Sequence, residues 1–495
     1  MARLAIVGGG VAGLATAFCV RRRIEAGQLP GWAPGDVVVI EAAPRLGGFC
    51  VTERADGWLL DWGPNGFLDN EPATLRLVDE LGLRASLRRA TDAAGDRYLF
   101  LRGRLRPIPM RPGAFLRSDL LSLRGKLRLA CEPLVPAKRD GADESVASFA
   151  RRRVGDEFVS TLLDPMISGV YAGDVERLSL QGALPKMEAL EREHGGLVRG
   201  MLARRRQARR EGRAAAGPGG PGGVLHTFTD GIGALTERLA RECGAALMTG
   251  CRVMAVRPRG AGRWRVEYAA DQTAGAGTRD TTPERDARPA ATGAVEVDQV
   301  VLACPAREAA AALAAWDEAL AALLRAVEPA PIAVVSLGYD AAAFDGPRDG
   351  FGFLIPRKEG IRTLGVLWTS SFFPFQAPPG KVLLRVMIGG ARDPGSAGLT
   401  DGESSRRALA DVARTMGVRA EPELVRVFRY REGIPQYALG HRRRLLSLAE
   451  RLVGLPGLHA TGNSYRGISV NHCVKDAYET AGRIVAAAGR EGVGA

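Results

Sequence analysis

Residues 5–14 read Ala5-Ile6-Val7-Gly8-Gly9-Gly10-Val11-Ala12-Gly13-Leu14. Ala5-Ile6-Val7 has the pattern of a short buried strand, and the stretch from Ala15 to Arg23 reads as a helix. The glycines between them meet the needs of a dinucleotide turn. Gly8 permits the tight bend, Gly10 lets backbone approach a pyrophosphate, and Gly13 lets helix and strand pack closely. The N–H groups that open the helix then face the phosphates, so the backbone of Gly8, Gly9, Gly10, Val11, Ala12 and Gly13 is the expected cofactor contact. A bare G-x-G-x-x-G is weak, but a strand before it and a helix after it supply the context that gives it meaning.

Outward from this turn, a second strand pattern, Val37-Val38-Val39-Ile40, ends in Glu41, the acid expected on the ribose hydroxyls. It lies further from the glycines than usual because residues 25–36 (EAGQLPGWAPGD) form a Gly/Pro-containing connection. Arg45-Leu46-Gly47-Gly48-Phe49 follows, a second glycine pair that a simple nicotinamide dehydrogenase does not need. Asp61-Trp62-Gly63-Pro64-Asn65-Gly66-Phe67 then reads as a rigid turn able to approach a flat ring. Three glycine stations in succession favour FAD over NAD.

The chain has 495 residues, 46% of them hydrophobic and 25% charged, the balance of a folded protein of two to four domains. Seven cysteines without a C-x-x-C pair and five histidines predict reduced, packed thiols in a cytoplasmic protein, and no metal site. Apolar residues 4–20 are followed, not preceded, by the basic cluster Arg21–Arg23, which argues against a signal peptide, and no apolar run is long enough to span a bilayer.

Further along, the sequence resembles the FAD-dependent amine oxidase and phytoene desaturase superfamily, and within it the oxygen-dependent protoporphyrinogen oxidases. The narrower resemblance rests on Gly63-Pro64-Asn65-Gly66-Phe67, residues 103–109 (GRLRPIP), 149–156 (FARRRVGD), 168–174 (SGVYAGD), 350–354 (GFGFL), 434–437 (IPQY) and 462–473 (GNSYRGISVNHC), in family order. It implies an α/β protein: a Rossmann-type FAD-binding domain from residues 1–90, 224–308 and 430–495, a mixed-sheet substrate domain at 309–429, and a helical lobe at 91–223 for membrane contact or substrate entry. The sequence supports the division. A Gly/Pro linker spans 217–223, residues 224–233, 251–256 and 297–304 return to nucleotide-domain style, and 332–339, 362–369 and 381–388 are β-rich. Residues 270–294 are polar and low in complexity and read as an exposed loop.

The resemblance also implies a chemistry. A porphyrinogen would lose six electrons in three rounds, with hydride passing to flavin N5 and dioxygen reoxidising the flavin to give hydrogen peroxide. No protein nucleophile is required, and the catalytic residues and proton acceptors stay unassigned. For the tetrapyrrole, the family pattern falls on Arg97 as propionate anchor, Leu354 and Phe373 as the sandwich, and Gly169 and Ala172 where backbone approaches the macrocycle. For the flavin it adds Glu41, Ala42, Arg45, Gly48, Phe49, Gly63, Pro64, Asn65, Gly66, Val253 and the stretch Ile468-Ser469-Val470, with Tyr430 where many members carry Trp. Cys473 reads as a packed thiol.

Protoporphyrinogen IX is the first substrate reading and coproporphyrinogen III the second, since the two activities share nearly all motifs. An amine oxidase or carotenoid desaturase would share only the N-terminal ones. A non-catalytic protein binding anionic surfaces is suggested by the net charge of +13, but no nucleic-acid recognition module accompanies it. The excess is local: residues 101–128 carry eight basic groups and one acid, and 199–213 carry seven and one. Both lie in the 91–223 lobe, which points to peripheral contact with the inner face of the cytoplasmic membrane or to attraction of a propionate-bearing substrate. The oligomeric state, a homodimer included, is left open.

Overall fold

The computed structural model of the chain describes residues 2–210, 223–260, 262–270, 291–345 and 348–491. It is an α/β protein in two compact units, one from residues 1–89, 225–328 and 443–495 and the other from 90–224 and 329–442.

In the first unit a five-stranded parallel sheet runs in the order Ala246–Met248, Val37–Ile40, Leu4–Val7, Gln299–Leu302, Leu458–Ala460. Leu4–Val7 and Val37–Ile40 are wholly buried, as expected of parallel strands covered on both faces. Helix Val11–Glu25 lies on one face and packs against helix Val470–Glu491, where Leu14, Phe18, Val474, Ala481 and Ile484 share a core with Ile6 and Val39. The other face is covered by helices Ala306–Leu313 and Glu318–Arg325 and by an antiparallel sheet of Cys251–Pro258, Trp264–Ala270 and Ala291–Val297.

Two sequence expectations shift here. Residues 309–328 join this unit rather than the substrate domain, because Leu313, Leu320 and Leu324 are buried in its core with Val300 and Leu302. Residues 291–294 are not loop: they begin the strand Ala291–Val297, which pairs along its whole length with Trp264–Ala270. Residues 271–290, and nearly all of the 217–223 linker, lie outside the described residues.

The second unit is built on a seven-stranded mixed sheet, in the order Leu424–Pro435, Pro329–Asp340, Lys381–Gly389, Thr363–Trp368, Gly352–Leu354, Arg97–Leu101, Arg104–Pro107. Only Gly352–Leu354 and Arg97–Leu101 pair in parallel. Residues 97–107, expected in a helical lobe, instead form the last two strands at one end of the sheet, with Arg104–Pro107 at its edge, and Leu99 and Leu101 are buried beside Leu120. Residues 430–435 continue the long strand Leu424–Pro435, which keeps 430–442 in this unit instead of the nucleotide-binding one. The remaining helices include Val146–Val154, a π-helical turn Val159–Leu163 running directly into Asp164–Tyr171, Pro185–His194 and Leu197–Arg210. Among the described residues no helix is long and apolar enough to cross a membrane.

Candidate functional site

The cofactor residues expected from the sequence gather in the first unit, with one exception. Gly8 has φ +111°, and a Cβ on Gly13 would stand 2.0 Å from the Gly8 carbonyl oxygen, so neither position tolerates a side chain. Gly10 caps helix Val11–Glu25 with no side-chain cap, leaving its opening N–H groups to a ligand. Gly10 also bridges to Gly47, and its backbone lies next to Gly48, so the two glycine stations form one backbone cradle.

Glu41 leaves the second strand with its carboxylate accepting from Gly9 N (2.7 Å) and Ala43 N (2.7 Å). Burial pushes its carboxyl upward, against the pull of those two donors and of Arg45 and Arg252. The strand that carries Val253 begins at the same place: Cys251 N donates to the Glu41 carbonyl at 2.9 Å, and the ladder is bulged between Val253 and Ala255. Ala42 follows Glu41 directly, and Val253 lies two residues beyond Cys251 on that strand. Arg45 donates to the Gly48 carbonyl at 3.1 Å and lies 4.4 Å over the Trp62 ring, joining the second station to the third.

In that third station a Cβ on Gly63 would strike the Phe49 carbonyl at 2.4 Å, and one on Gly66 the His226 carbonyl at 2.1 Å. The turn with Pro64 and Asn65 is therefore fixed by backbone packing. The C-terminal helix reaches it through Asn471, whose amide donates to the Leu68 carbonyl at 2.8 Å and brings Ile468-Ser469-Val470 beside this turn. Ser469 accepts from His472 N at 3.2 Å and contacts His472 Nδ1 at 2.7 Å. Sequence reading missed His472, although it sits inside the quoted 462–473 segment. Cys473 is buried, with its thiol pushed up to about 12, which suits a packed group. The exception is Tyr430, which lies buried in the second unit opposite Ile332. The glycine cradle, the buried Glu41 carboxylate at the end of the second strand and the N-terminus of helix Val11–Glu25, which has no side-chain cap, fit an FAD, and among the described residues no group of His, Cys, Asp and Glu could hold a metal ion.

The residues expected at the substrate all lie in the second unit. Arg97 starts its strand and pairs with Gly352, while Leu354 pairs with Leu99 two residues on. A Cβ on Gly169 would meet Leu354 Cδ2 at 2.5 Å, so helix Asp164–Tyr171 rests its backbone on that side chain. Ala172 ends the helix in the left-handed conformation, φ 46° and ψ 31°. Arg97 keeps solvent access and makes no ion pair among the described residues; its guanidinium lies 5.7 Å over Phe351, and partial desolvation by the surrounding protein lowers it from the ordinary arginine value. Phe373 is fully buried between Phe372 and Phe375. Sequence reading overlooked Arg392, which pairs with both Asp164 and Asp174. The Gly389-Gly390 pair before it was the available signal, since paired glycines at a strand end mark a close backbone approach.

These features define a flavin-binding oxidoreductase of Rossmann type. The family profile of flavin containing amine oxidoreductases matches residues 11–485, and the chain belongs to that family, with FAD as its cofactor. Coproporphyrinogen III oxidase of Bacillus subtilis is 30% identical, over 95% of this chain and 95% of its own. Protoporphyrinogen oxidase 1 of Arabidopsis thaliana chloroplasts is 32% identical, over 96% of this chain and 86% of its own. Among solved structures, an Exiguobacterium protein 24% identical covers 98% of this chain and 99% of its own with a TM-score of 0.77, a likeness of fold.

Proposed function

We propose that the chain oxidises a porphyrinogen in porphyrin biosynthesis, with protoporphyrinogen IX as first substrate, dioxygen as terminal acceptor and three molecules of hydrogen peroxide released per porphyrin. The observation that carries this reading is Arg97, a guanidinium without an ion pair among the described residues, on the strand next to Leu354. A planar fork of N–H donors matches a propionate carboxylate in both charge and geometry. Leu354 over the Gly169 backbone offers an apolar edge for a macrocycle, and Ala172 keeps that edge free of bulk. Bound FAD supplies the two-electron acceptor. The protein's part is to bind the propionate, orient the ring and exclude water.

Coproporphyrinogen III is the second reading. Its four propionates call for more cations, and Arg357 and Lys358 follow Leu354 closely; Arg357 makes no ion pair among the described residues, and Lys358 donates to Thr161 at 2.7 Å. Each porphyrinogen offered separately to flavin-loaded protein, with product fluorescence followed, tests both. Activity on protoporphyrinogen that falls at least about tenfold in kcat/KM on Arg97→Ala supports the first reading. A large preference for coproporphyrinogen replaces it with the second, and no turnover of either by flavin-loaded protein overturns both.

Peripheral membrane contact is part of the same proposal. Leu123 and Leu127 share a face of helix Leu123–Ala130 and are 75% and 60% exposed, Leu134 is 80% exposed, and Arg124 lies exposed beside them. Apolar side chains among cations suit an anionic bilayer surface. Sedimentation with anionic vesicles, lost on Leu123→Glu and weakened by salt, is the expected result.

A further inference from the structure

Helix Asp164–Tyr171 carries Gly169, and the left-handed residue Ala172 reverses the chain directly after it. The reversal returns Asp174 to the neighbourhood of Asp164, where its charge works against ionisation of the Asp164 carboxyl. Two carboxylates this close, both mostly buried, repel each other and would open the turn that sets Ala172. One guanidinium prevents this. Arg392 pairs with Asp164 Oδ1 through Nη1 and donates from Nη2 to Asp174 Oδ1 at 2.7 Å.

The turn that delivers Arg392 is itself fixed. Gly390 has φ +92°, and a Cβ there would stand 2.7 Å from the Ala172 carbonyl oxygen. That same carbonyl accepts from Ala391 N at 2.7 Å, and Gly390 N donates to the Pro331 carbonyl at 2.7 Å. On the other side Asp393 accepts from Arg362 Nε at 2.8 Å and from the Ser396 hydroxyl, and Ser396 accepts from Arg407 at 2.5 Å. Backbone and charge therefore converge on the residue that ends the helix.

We propose that Arg392 is a positioning residue for substrate binding, which holds the Gly169–Ala172 edge in shape by neutralising the Asp164/Asp174 pair. This rests on the reading of Gly169 and Ala172 as substrate-facing. It assigns Arg392 a role through the fold, with no contact to the reacting atoms. The groups facing Asp164 are Arg392, Asp174 and Arg357; those facing Asp174 are Arg392, Arg357, Asp164 and the Glu176 N–H. With Arg392 gone, Asp164 loses its main cation, retains a proton to higher pH, and in that neutral form no longer repels Asp174.

The test measures steady-state oxidation of protoporphyrinogen and coproporphyrinogen by flavin-matched preparations. Arg392→Met is expected to raise KM about tenfold at pH 8 with kcat within about twofold, and the KM is expected to recover as pH falls toward 6. Asp174→Asn on the Arg392→Met background removes the repulsion and is expected to restore most of the binding. An unchanged KM in Arg392→Met, or a double variant no better than the single one, overturns the proposal. Should Arg392→Met fail to fold, Arg392→Lys, which keeps one charge but cannot fork to both acids, is read in the same way, alone and with Asp174→Asn. Gly169→Leu separates the two levels. If it leaves KM unchanged, the substrate-facing reading itself fails; if it raises KM while the Arg392 variants do not, only the positioning role falls.

Discussion

Leu354 fills the space that a side chain at Gly169 would need, its Cδ2 standing 2.5 Å from the Cβ position. The clashing atom is the far end of a flexible side chain, so Gly169→Ala displaces Leu354 rather than the helix. We expect the variant to fold with a melting temperature within a few degrees of the parent and to show a porphyrinogen KM raised about fivefold. Fluorimetric kinetics beside a thermal melt checks both halves.

Glu41 is set between Gly9 N and Ala43 N at 2.7 Å each. Glu41→Gln keeps the shape but turns an acceptor-only group into one that presents N–H to a backbone N–H. The expected outcome is flavin loss, with the apparent Kd for FAD raised at least about tenfold. Titration of apoprotein by flavin fluorescence quenching measures it, and an unaltered Kd removes Glu41 from the cofactor site.

Arg153 and Glu132 are paired with 0% of either side chain exposed, and Glu132 also accepts from Leu197 N at 2.8 Å and Val198 N at 3.1 Å, holding the start of helix Leu197–Arg210. Removing one partner leaves a buried charge under-compensated. Glu132→Gln is expected to cost about 3 kcal/mol in urea unfolding, and Glu132→Met with Arg153→Met distinctly less than the sum of the single changes.

Asp317 accepts from Arg451 at 2.6 and 2.9 Å and caps helix Glu318–Arg325 through Leu320 N at 2.9 Å. The Arg451 guanidinium holds its carboxyl below the usual range. A depressed folded value means that the stabilisation is present above about pH 4, the ordinary aspartate value, and fades as pH falls through the lowered one. Asp317→Asn should therefore cost about 1 kcal/mol at pH 7, with the gap to the parent shrinking below pH 4. Urea midpoints at a series of pH values follow it, and a gap that widens toward acid contradicts the assignment.

The sequence by itself determined the nucleotide-binding half. Gly8, Gly10, Gly13 and Glu41 lie in one strand–turn–helix–strand unit, where each residue's task follows from local backbone geometry, so neighbours in sequence are neighbours in space. Strands such as Lys381–Gly389 were likewise legible from their β-branched and apolar runs. What only the tertiary structure decided depends on distant pairing. The parallel match of Gly352–Leu354 with Arg97–Leu101 put residues 97–107 into a sheet, although the family resemblance had implied a helical lobe there. Arg392 meets Asp164 and Asp174 across more than two hundred residues of chain, and in a sequence so rich in arginine nothing local distinguishes it from a solvated surface group. Charge acts through space and is screened by solvent, so which arginine matters is set by where burial and partners bring it.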